Sequence, residues 1–340
     1  MMKKRWHICI VAALALTLGL TGCGKKLDGT QTVAVIDETN IPLAEVNLML
    51  RYQQAQMETY YSGFMGNNIY QQDISGDGTI YGETAKTTLM DTFQEMYVLE
   101  AEATNYGVAL TEEEKSAISE AARQLMADNE DTRVRAALTL SQETVEHLLT
   151  LFTLDEKMKD ALTADVDTNV SDQEAAQKRV TYLFVSKQGS ELDEEGKPID
   201  LTEEELKALK EKAQGILEEA KSSKDLSGAA QAQELTANSI TYGEDSSSLP
   251  EEVKAAADKL AEGEYTEVID TEAAYYIVQM DSLLDREATD AKKDRIVQDR
   301  KNDLFAEKYE ALKEAHTFTI KEDVMAQMTF EQQITLKMEE

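Results

Sequence analysis

The chain has 340 residues, of which 66 are acidic and 34 basic, so its formal net charge at pH 7 is −32. Such a charge repels nucleic acid and anionic lipid headgroups, so we expect no nucleic-acid partner and no basic membrane-binding patch. With two cysteines and three prolines, the composition excludes a disulfide scaffold and favours long helices over a many-turned β-protein. The length suggests about two domains.

The N-terminal residues predict a secretory signal peptide. A basic start at residues 3–5 precedes an apolar run at residues 8–20, which is too short and wrongly flanked to span a membrane. The run ends in Leu-Thr-Gly followed by Cys23, which resembles the bacterial lipobox. This resemblance implies a signal at residues 1–22, a lipid on Cys23, and a location on the extracytoplasmic face of the bacterial cell membrane. The lipid would be the membrane anchor.

The stretch up to residue 172 is predicted to be mainly helical. Residues 32–37 carry a compact β-branched strand signal. Asn40 and Pro42 predict the start of a first helix that reaches about Tyr61. Further helices are predicted to begin near Thr84, Thr111 and Ser141, the last two with capping-box-like sequences.

From residue 177 the pattern changes to mixed strands and helices. The predicted elements are strands at 179–185, 239–242, 266–269 and 273–280, with helices at 202–221 and 250–260. A long charged helix at 288–315 and a last strand at 317–320 follow. That last strand is predicted to pair with residues 33–36, which would return the C-terminus to the N-terminal region.

Two N-terminal segments resemble extracytoplasmic foldases of the trigger-factor, SurA and PrsA type. Residues 33–37 followed by residues 41–46 are similar to the opening strand and helix of that family. Residues 100–114 are similar to a later helix–turn–helix of the same domain. Residues 179–282 resemble a parvulin-type peptidyl-prolyl isomerase domain in their order of strands and helices.

The resemblance implies an α+β protein with a helical chaperone domain and an inserted parvulin-like domain. The helical domain would comprise residues 23–172, completed by the helix and strand of residues 284–340. The insert would be residues 173–283. Unfolded or nascent secreted polypeptides are the partners that this family implies, and the sequence leaves open whether the chain forms a homodimer.

The residues at the family's site positions depart from its pattern. Parvulins carry a histidine in the first strand and another in the last, where this chain has Tyr182 and Tyr276. Leu249 and Val253 stand where the family's proline pocket has larger residues, and Tyr242 keeps an aromatic. By resemblance, the tyrosine pair is the catalytic candidate and the other three are substrate-binding candidates. The alternative is that both tyrosines only pack in a sheet core.

Three functions are weighed on this basis. Because prolyl isomerisation breaks no covalent bond, an apolar pocket with hydroxyl donors could still catalyse it, and we expect a membrane-anchored foldase with weak isomerase activity. The first alternative is a peptide-binding holdase with a degenerate, non-catalytic parvulin domain. The second is a solute-binding lipoprotein of a transporter, which would need two α/β lobes around a cleft.

One loop is tested as a metal site. Asp73, Ser75 and Asp77 follow the start of a calcium loop, but the twelfth position is Thr84 and Glu83 lies one residue short. A plain turn of Asp and Gly is the preferred interpretation. The three histidines are scattered, so no histidine metal site is predicted and we expect no cofactor.

Overall fold

The computed structural model describes residues 16–18, 27–65, 69–192, 198–331 and 334–336, and it divides into two compact units. Unit 1 comprises residues 1–165 and 302–340, and unit 2 comprises residues 166–301. Cys23 and the predicted signal peptide lie outside the described residues, apart from a short strand at Leu16–Leu18. Among the described helices, none has the length and apolar composition needed to cross a membrane.

Unit 1 is a helical assembly with a small sheet. Its elements are β1 (Leu16–Leu18), β2 (Thr32–Ile36), β3 (Thr39–Pro42), α1 (Leu43–Met65), a short 3-10 helix (Ile69–Gln71), α2 (Tyr81–Glu102), α3 (Glu112–Asp128), α4 (Thr132–Leu138) and α5 (Gln142–Leu162), and, after the unit 2 segment, β10 (Phe318–Ile320), α10 (Glu322–Met325) and β11 (Ile334–Leu336). Apolar residues at helical spacing bury the inner faces of the long helices, as Leu89, Phe93 and Met96 do on α2. The capping box predicted at Thr111 is present, and the Ser141 side chain caps α5.

The sheet of unit 1 joins the two ends of the chain. Its strand order is β10-β2-β3, and β10 pairs antiparallel with β2, with Phe318 opposite Ile36 and Ile320 opposite Ala34. The strand pairing predicted from the sequence is therefore present. Strand β11 pairs with β1 in a separate two-stranded sheet.

The predicted helix start at Asn40 and Pro42 is wrong. Both residues lie in β3, which forms a hairpin with β2 through a turn in which Asp37 has φ +48°, and α1 begins at Leu43. Pro42 fits there because β3 is an edge strand, where a missing N–H costs no ladder hydrogen bond.

Unit 2 is built on a four-stranded antiparallel sheet. Its elements are β4 (Lys178–Ser186), β5 (Gln188–Leu192), β6 (Pro198–Asp200), α6 (Glu203–Ser223), α7 (Leu226–Gln231), β7 (Asn238–Tyr242), α8 (Glu251–Ala257), β8 (Ile269–Asp270) and β9 (Ala274–Ser282); helix α9 (Arg286–Ala315) begins in unit 2 and ends in unit 1. The strand order is β7-β4-β9-β8. The strand predicted at residues 266–269 is found only at Ile269–Asp270, and the β5–β6 hairpin and α7 are regular elements that the sequence pattern did not predict.

The two faces of this sheet carry separate apolar clusters. Leu183 and Ile277 pack with α6 and α7 on one face, whereas Val180 and Val278 pack with Val253 of α8 on the other. The separation follows from the strands, whose successive side chains alternate between faces. Whether the predicted insert of residues 173–283 folds independently stays a prediction.

Candidate functional site

All five site residues predicted from the sequence belong to one apolar cluster of unit 2. Tyr182 lies on β4, Tyr276 on β9 and Tyr242 at the end of β7, while Leu249 and Val253 lie at the start of α8. The strands place their three tyrosines on the face that α8 partly covers. The structure thus brings the predicted residues together, and their roles stay a prediction.

A row of aromatic rings crosses this face. The ring centroids of Tyr182 and Tyr276 are 6.4 Å apart with an interplanar angle of 27°, and the Phe184 ring lies 6.1 Å from that of Tyr276. Phe184 is directly opposite Tyr276 in the β4–β9 register, and Tyr182 is the diagonal neighbour of Tyr276. We call Tyr182, Tyr276 and Phe184 the aromatic row.

Sequence reasoning missed Phe184. Its side chain is 44% exposed, although a large aromatic residue on a strand ordinarily packs away from water. The available signal was its position two residues after Tyr182, because alternation along a strand places such residues on the same face. Phe184 is therefore the most accessible ring of the row, beside the partly buried rings of Tyr182 and Tyr276.

The three predicted substrate-binding residues are buried. Val253 is fully buried, Leu249 is 6% exposed and Tyr242 is 2% exposed. The Tyr242 hydroxyl donates a hydrogen bond of 2.9 Å to Asp258, which also accepts one from Lys178 at 2.7 Å. Burial and the neighbouring carboxylate raise the pKa of Tyr242. These three buried side chains belong to the cluster on which Tyr182 and Tyr276 pack, so the aromatic row is the more accessible part of the site.

The phenols of the row are available as donors. Burial, together with the adjacent Tyr182, raises the pKa of Tyr276, so its hydroxyl carries a proton at neutral pH. No hydrogen bond joins the hydroxyl of Tyr182 or Tyr276 to another residue within the described part of the chain. Both hydroxyls could therefore donate to a carbonyl or imide nitrogen of a bound peptide.

The loop weighed as a calcium site has the contacts of a turn. The Asp73 carboxylate accepts the N–H groups of Gly76 at 2.7 Å and Gly78 at 2.8 Å, and Asp77 accepts that of Thr79 at 2.8 Å. These backbone bonds lower the pKa of Asp73. Ser75 donates to Asp73 at 3.3 Å. Across the described ranges, no group of three or more histidine, cysteine or acidic residues is arranged to hold a metal ion.

The comparison with protein families bears on unit 2. Residues 173–293 match the family model described as the PPIC-type PPIase domain, where PPIase denotes peptidyl-prolyl isomerase. The matched residues take up most of unit 2 and so make it similar to this family. The aromatic row and the buried residues that pack against it both lie within the matched residues. A comparison with curated proteins gave no match.

Solved structures similar to the chain include several foldases and chaperones. The foldase protein PrsA from Lactococcus lactis is 18% identical, with a TM-score of 0.34, over 87% of this chain and 97% of that one. A peptidylprolyl isomerase, PrsA from Bacillus cereus, is 14% identical, with a TM-score of 0.29, over 77% and 94%. A structure from a study of the SurA-like chaperones PEB4 and Cj1289 of Campylobacter jejuni is 11% identical, with a TM-score of 0.29, over 85% and 98%.

Proposed function

We propose that the protein is a lipid-anchored extracytoplasmic foldase whose PPIase domain binds proline-containing segments of unfolded secreted polypeptides at the aromatic row. The observation that carries the proposal is the aromatic row, with its exposed Phe184 ring, on a sheet whose residues match the PPIC-type family. The lipobox-like residues before Cys23 support the location. The resemblance of residues 33–46 and 100–114 to extracytoplasmic foldases supports a chaperone role for unit 1 in addition.

The geometry suits catalysis by differential binding. Rotation about a prolyl amide has a barrier of ~20 kcal/mol that arises from amide resonance. A ring surface that removes water from the amide carbonyl, with a phenol donating to the imide nitrogen, would bind the twisted amide better than the planar one. Each tenfold in rate requires about 1.4 kcal/mol of such preference. Since neutral phenols replace the family's histidines, we expect a weak isomerase.

A non-catalytic holdase is the second candidate, and one observation favours it. Leu249 and Val253 are buried where α8 packs on the sheet, so the open part of the site is a surface and not a deep proline pocket. A surface of rings can hold an apolar segment without twisting its amide. The transporter alternative is not favoured, because the described part of unit 1 is helical with small antiparallel sheets and does not form an α/β lobe.

Peptide binding tests the site. In the purified mature protein, Phe184→Ala should weaken binding of a fluorescent proline-containing peptide by about 1 kcal/mol, roughly fivefold, because one exposed ring contact is lost. Leu283→Ala is the matched control, since Leu283 is also an exposed apolar side chain of unit 2, at 43% exposure, and does not belong to the row. Equal affinities of the two variants would contradict the proposed site.

Isomerase activity separates the two candidates. An NMR exchange assay on an Xaa-Pro peptide should show a slow catalysed rate that falls in Tyr276→Phe if the hydroxyl donates to the amide. A rate unchanged in Tyr182→Phe and Tyr276→Phe would exclude the hydroxyls from catalysis. Absence of any catalysed exchange, with peptide binding intact, would establish the holdase.

Cys23→Ser should release the chain from the membrane fraction if Cys23 carries the lipid.

A further inference from the structure

A ladder of four buried polar side chains runs along one face of α1. Asn47, Arg51, Gln54 and Glu58 follow the spacing of a single helical face, and each is at most 7% exposed. Arg51 donates to Asn47 at 3.3 Å and to Gln54 at 2.7 Å, and Gln54 donates to Glu58 at 2.8 Å. We call these four residues the α1 ladder. Burying so many polar groups is costly unless they are satisfied, so their outer partners matter.

Asn47 donates to the carbonyl of Ala137 and the hydroxyl of Thr139, whereas the outer partners of Arg51 and Glu58 are backbone groups of the C-terminal tail, residues 326–331 and 334–336. Arg51 donates to the carbonyl of Thr329 at 2.6 Å, and Glu58 accepts the N–H of Ile334 at 2.7 Å. Gln71 of the short 3-10 helix donates to the carbonyl of Phe330 at 2.7 Å. Side chains that bond to a main chain recognise an extended segment of almost any sequence, because every residue presents the same carbonyl and, proline apart, the same N–H.

One side chain of the tail is held specifically. The Phe330 ring is 8% exposed and stacks on Tyr70 with centroids 4.5 Å apart, while the Arg51 guanidinium and the Lys86 ammonium lie 5.5 and 5.8 Å from its centroid. A Cβ at Gly82 would come within 2.6 Å of the ring, so only glycine permits this approach. Tyr70, Gly82, Arg51 and Lys86 form what we call the anchor pocket.

The anchor pocket continues into an open cleft. The ring centroids of Tyr70 and Tyr81 lie 5.0 Å apart, and both rings also line a cleft of about 490 Å³. Tyr60 and Tyr61 line it as well and are 57% and 50% exposed. Within the described residues its lining is tyrosine, methionine, alanine, threonine and glutamine, with no charged side chain, although the chain is strongly acidic. We call this the tyrosine cleft.

We propose that the α1 ladder, the anchor pocket and the tyrosine cleft form one groove for an extended polypeptide, and that the tail is its resident occupant. A client segment with an aromatic residue would replace the tail. Its backbone would bond to the α1 ladder and Gln71, and its ring would fill the anchor pocket. Its next apolar side chains would pack on the exposed Tyr60 and Tyr61 of the tyrosine cleft. Because the cleft is uncharged within an acidic protein, a neutral apolar segment with basic flanks fits it best. The groove lies in unit 1 and does not rest on the proposed isomerase site.

The tail would also regulate this groove. A covalently linked occupant competes at an effective concentration on the millimolar scale, so only segments that bind well, or are locally concentrated, displace it. The opposite interpretation is that the tail is a permanent part of the core, since Met328 and Ile334 are also buried. A displaceable tail can be replaced by a separate peptide of the same sequence, whereas a tail that is a permanent part of the core cannot.

The test is binding of a fluorescent peptide with the sequence of residues 324–336 to the full chain carrying Phe330→Ala. That substitution empties the anchor pocket and leaves the ladder and Gln71 in place. We expect the peptide to bind this variant at least tenfold more tightly than it binds the wild-type chain. A peptide that carries alanine in place of its own Phe330 should lose this at least tenfold gain. Phe305→Ala is the control, because Phe305 is a partly buried aromatic of unit 1 that packs on Tyr309. It should bind the peptide no better than the wild type.

A second measurement covers the case in which Phe330→Ala does not fold. In the wild-type chain, saturating peptide should accelerate amide hydrogen exchange in residues 326–336, since a displaced tail loses the bond between Ile334 and Glu58. Peptide binding to folded Phe330→Ala that is no tighter than to wild type overturns the proposal. Where that variant is unfolded, unchanged exchange of the wild-type tail overturns it.

Discussion

His147 should titrate far above the ordinary range of histidine. On α5, its Nδ1 lies 2.8 Å from Glu45 and its Nε2 lies 3.3 Å from Glu100, so both ring nitrogens face carboxylates. Glu45 is buried and accepts a further hydrogen bond of 2.7 Å from Tyr97. Hydrogen bonds to Glu100 and Glu45 outweigh the partial burial of the imidazole and raise the pKa of His147 from 6.5 to about 10.

The pair of carboxylates therefore stabilises unit 1 in a pH-dependent way. One unit of pKa shift corresponds to ~1.4 kcal/mol, but the His147 side chain is 34% exposed, so solvent screening reduces the net effect to about 2 kcal/mol. Because the folded pKa is above the unfolded one, this stabilisation is complete below pH 6.5 and is lost as the pH rises toward 10. His147→Gln keeps a hydrogen-bond donor for Glu45 and removes the charge.

Urea unfolding measures the free energy of unfolding, and NMR measures the pKa of His147. His147→Gln should lower the free energy of unfolding by about 2 kcal/mol at pH 6 and by much less at pH 10. Glu113→Gln is the control, since Glu113 is an exposed carboxylate of α3, and its effect should not differ between the two pH values. An NMR titration gives the pKa of His147 directly. A pKa near 6.5, or a His147→Gln effect that is the same at both pH values, would refute the reasoning.

Three further substitutions or deletions follow from unit 2. Tyr242→Phe removes the hydrogen bond to Asp258 and should cost about 1 kcal/mol in urea unfolding, while peptide affinity stays unchanged because Tyr242 is buried; a loss of affinity alone would contradict this. Gly215→Ala should raise the unfolding free energy by about 1 kcal/mol, since Gly215 lies within α6 and its added Cβ meets no atom within 4 Å; destabilisation would disprove it. Deleting residues 178–283 should leave a chain that retains cooperative helical unfolding by circular dichroism, and loss of that helicity would exclude the inserted-domain architecture.

Local patterns in the sequence predicted much of the fold. The capping box at Thr111 is a contact between residues three apart, and the strands β4 and β9 are visible as β-branched and aromatic runs. The shared face of Tyr182 and Tyr276 follows once the two strands pair. The capping box and the strand patterns depend on neighbours along the chain, so the sequence contains that information directly.

Only the tertiary structure decided which residues are accessible and which are buried. The same short segment, Asn40 and Pro42, reads as a helix start in isolation but becomes a strand because β2 is there to pair with it. Leu249 and Val253 are buried and Phe184 is exposed because α8 covers only part of the sheet face.

The contacts with the largest consequences join distant parts of the chain. His147 and Glu45 are 102 residues apart, and Ile334 and Glu58 are 276 apart. No periodicity or local propensity encodes such pairs. Burial, the raised pKa of His147 and the docking of the tail on α1 exist only because long-range packing brings these groups together and removes water from around them.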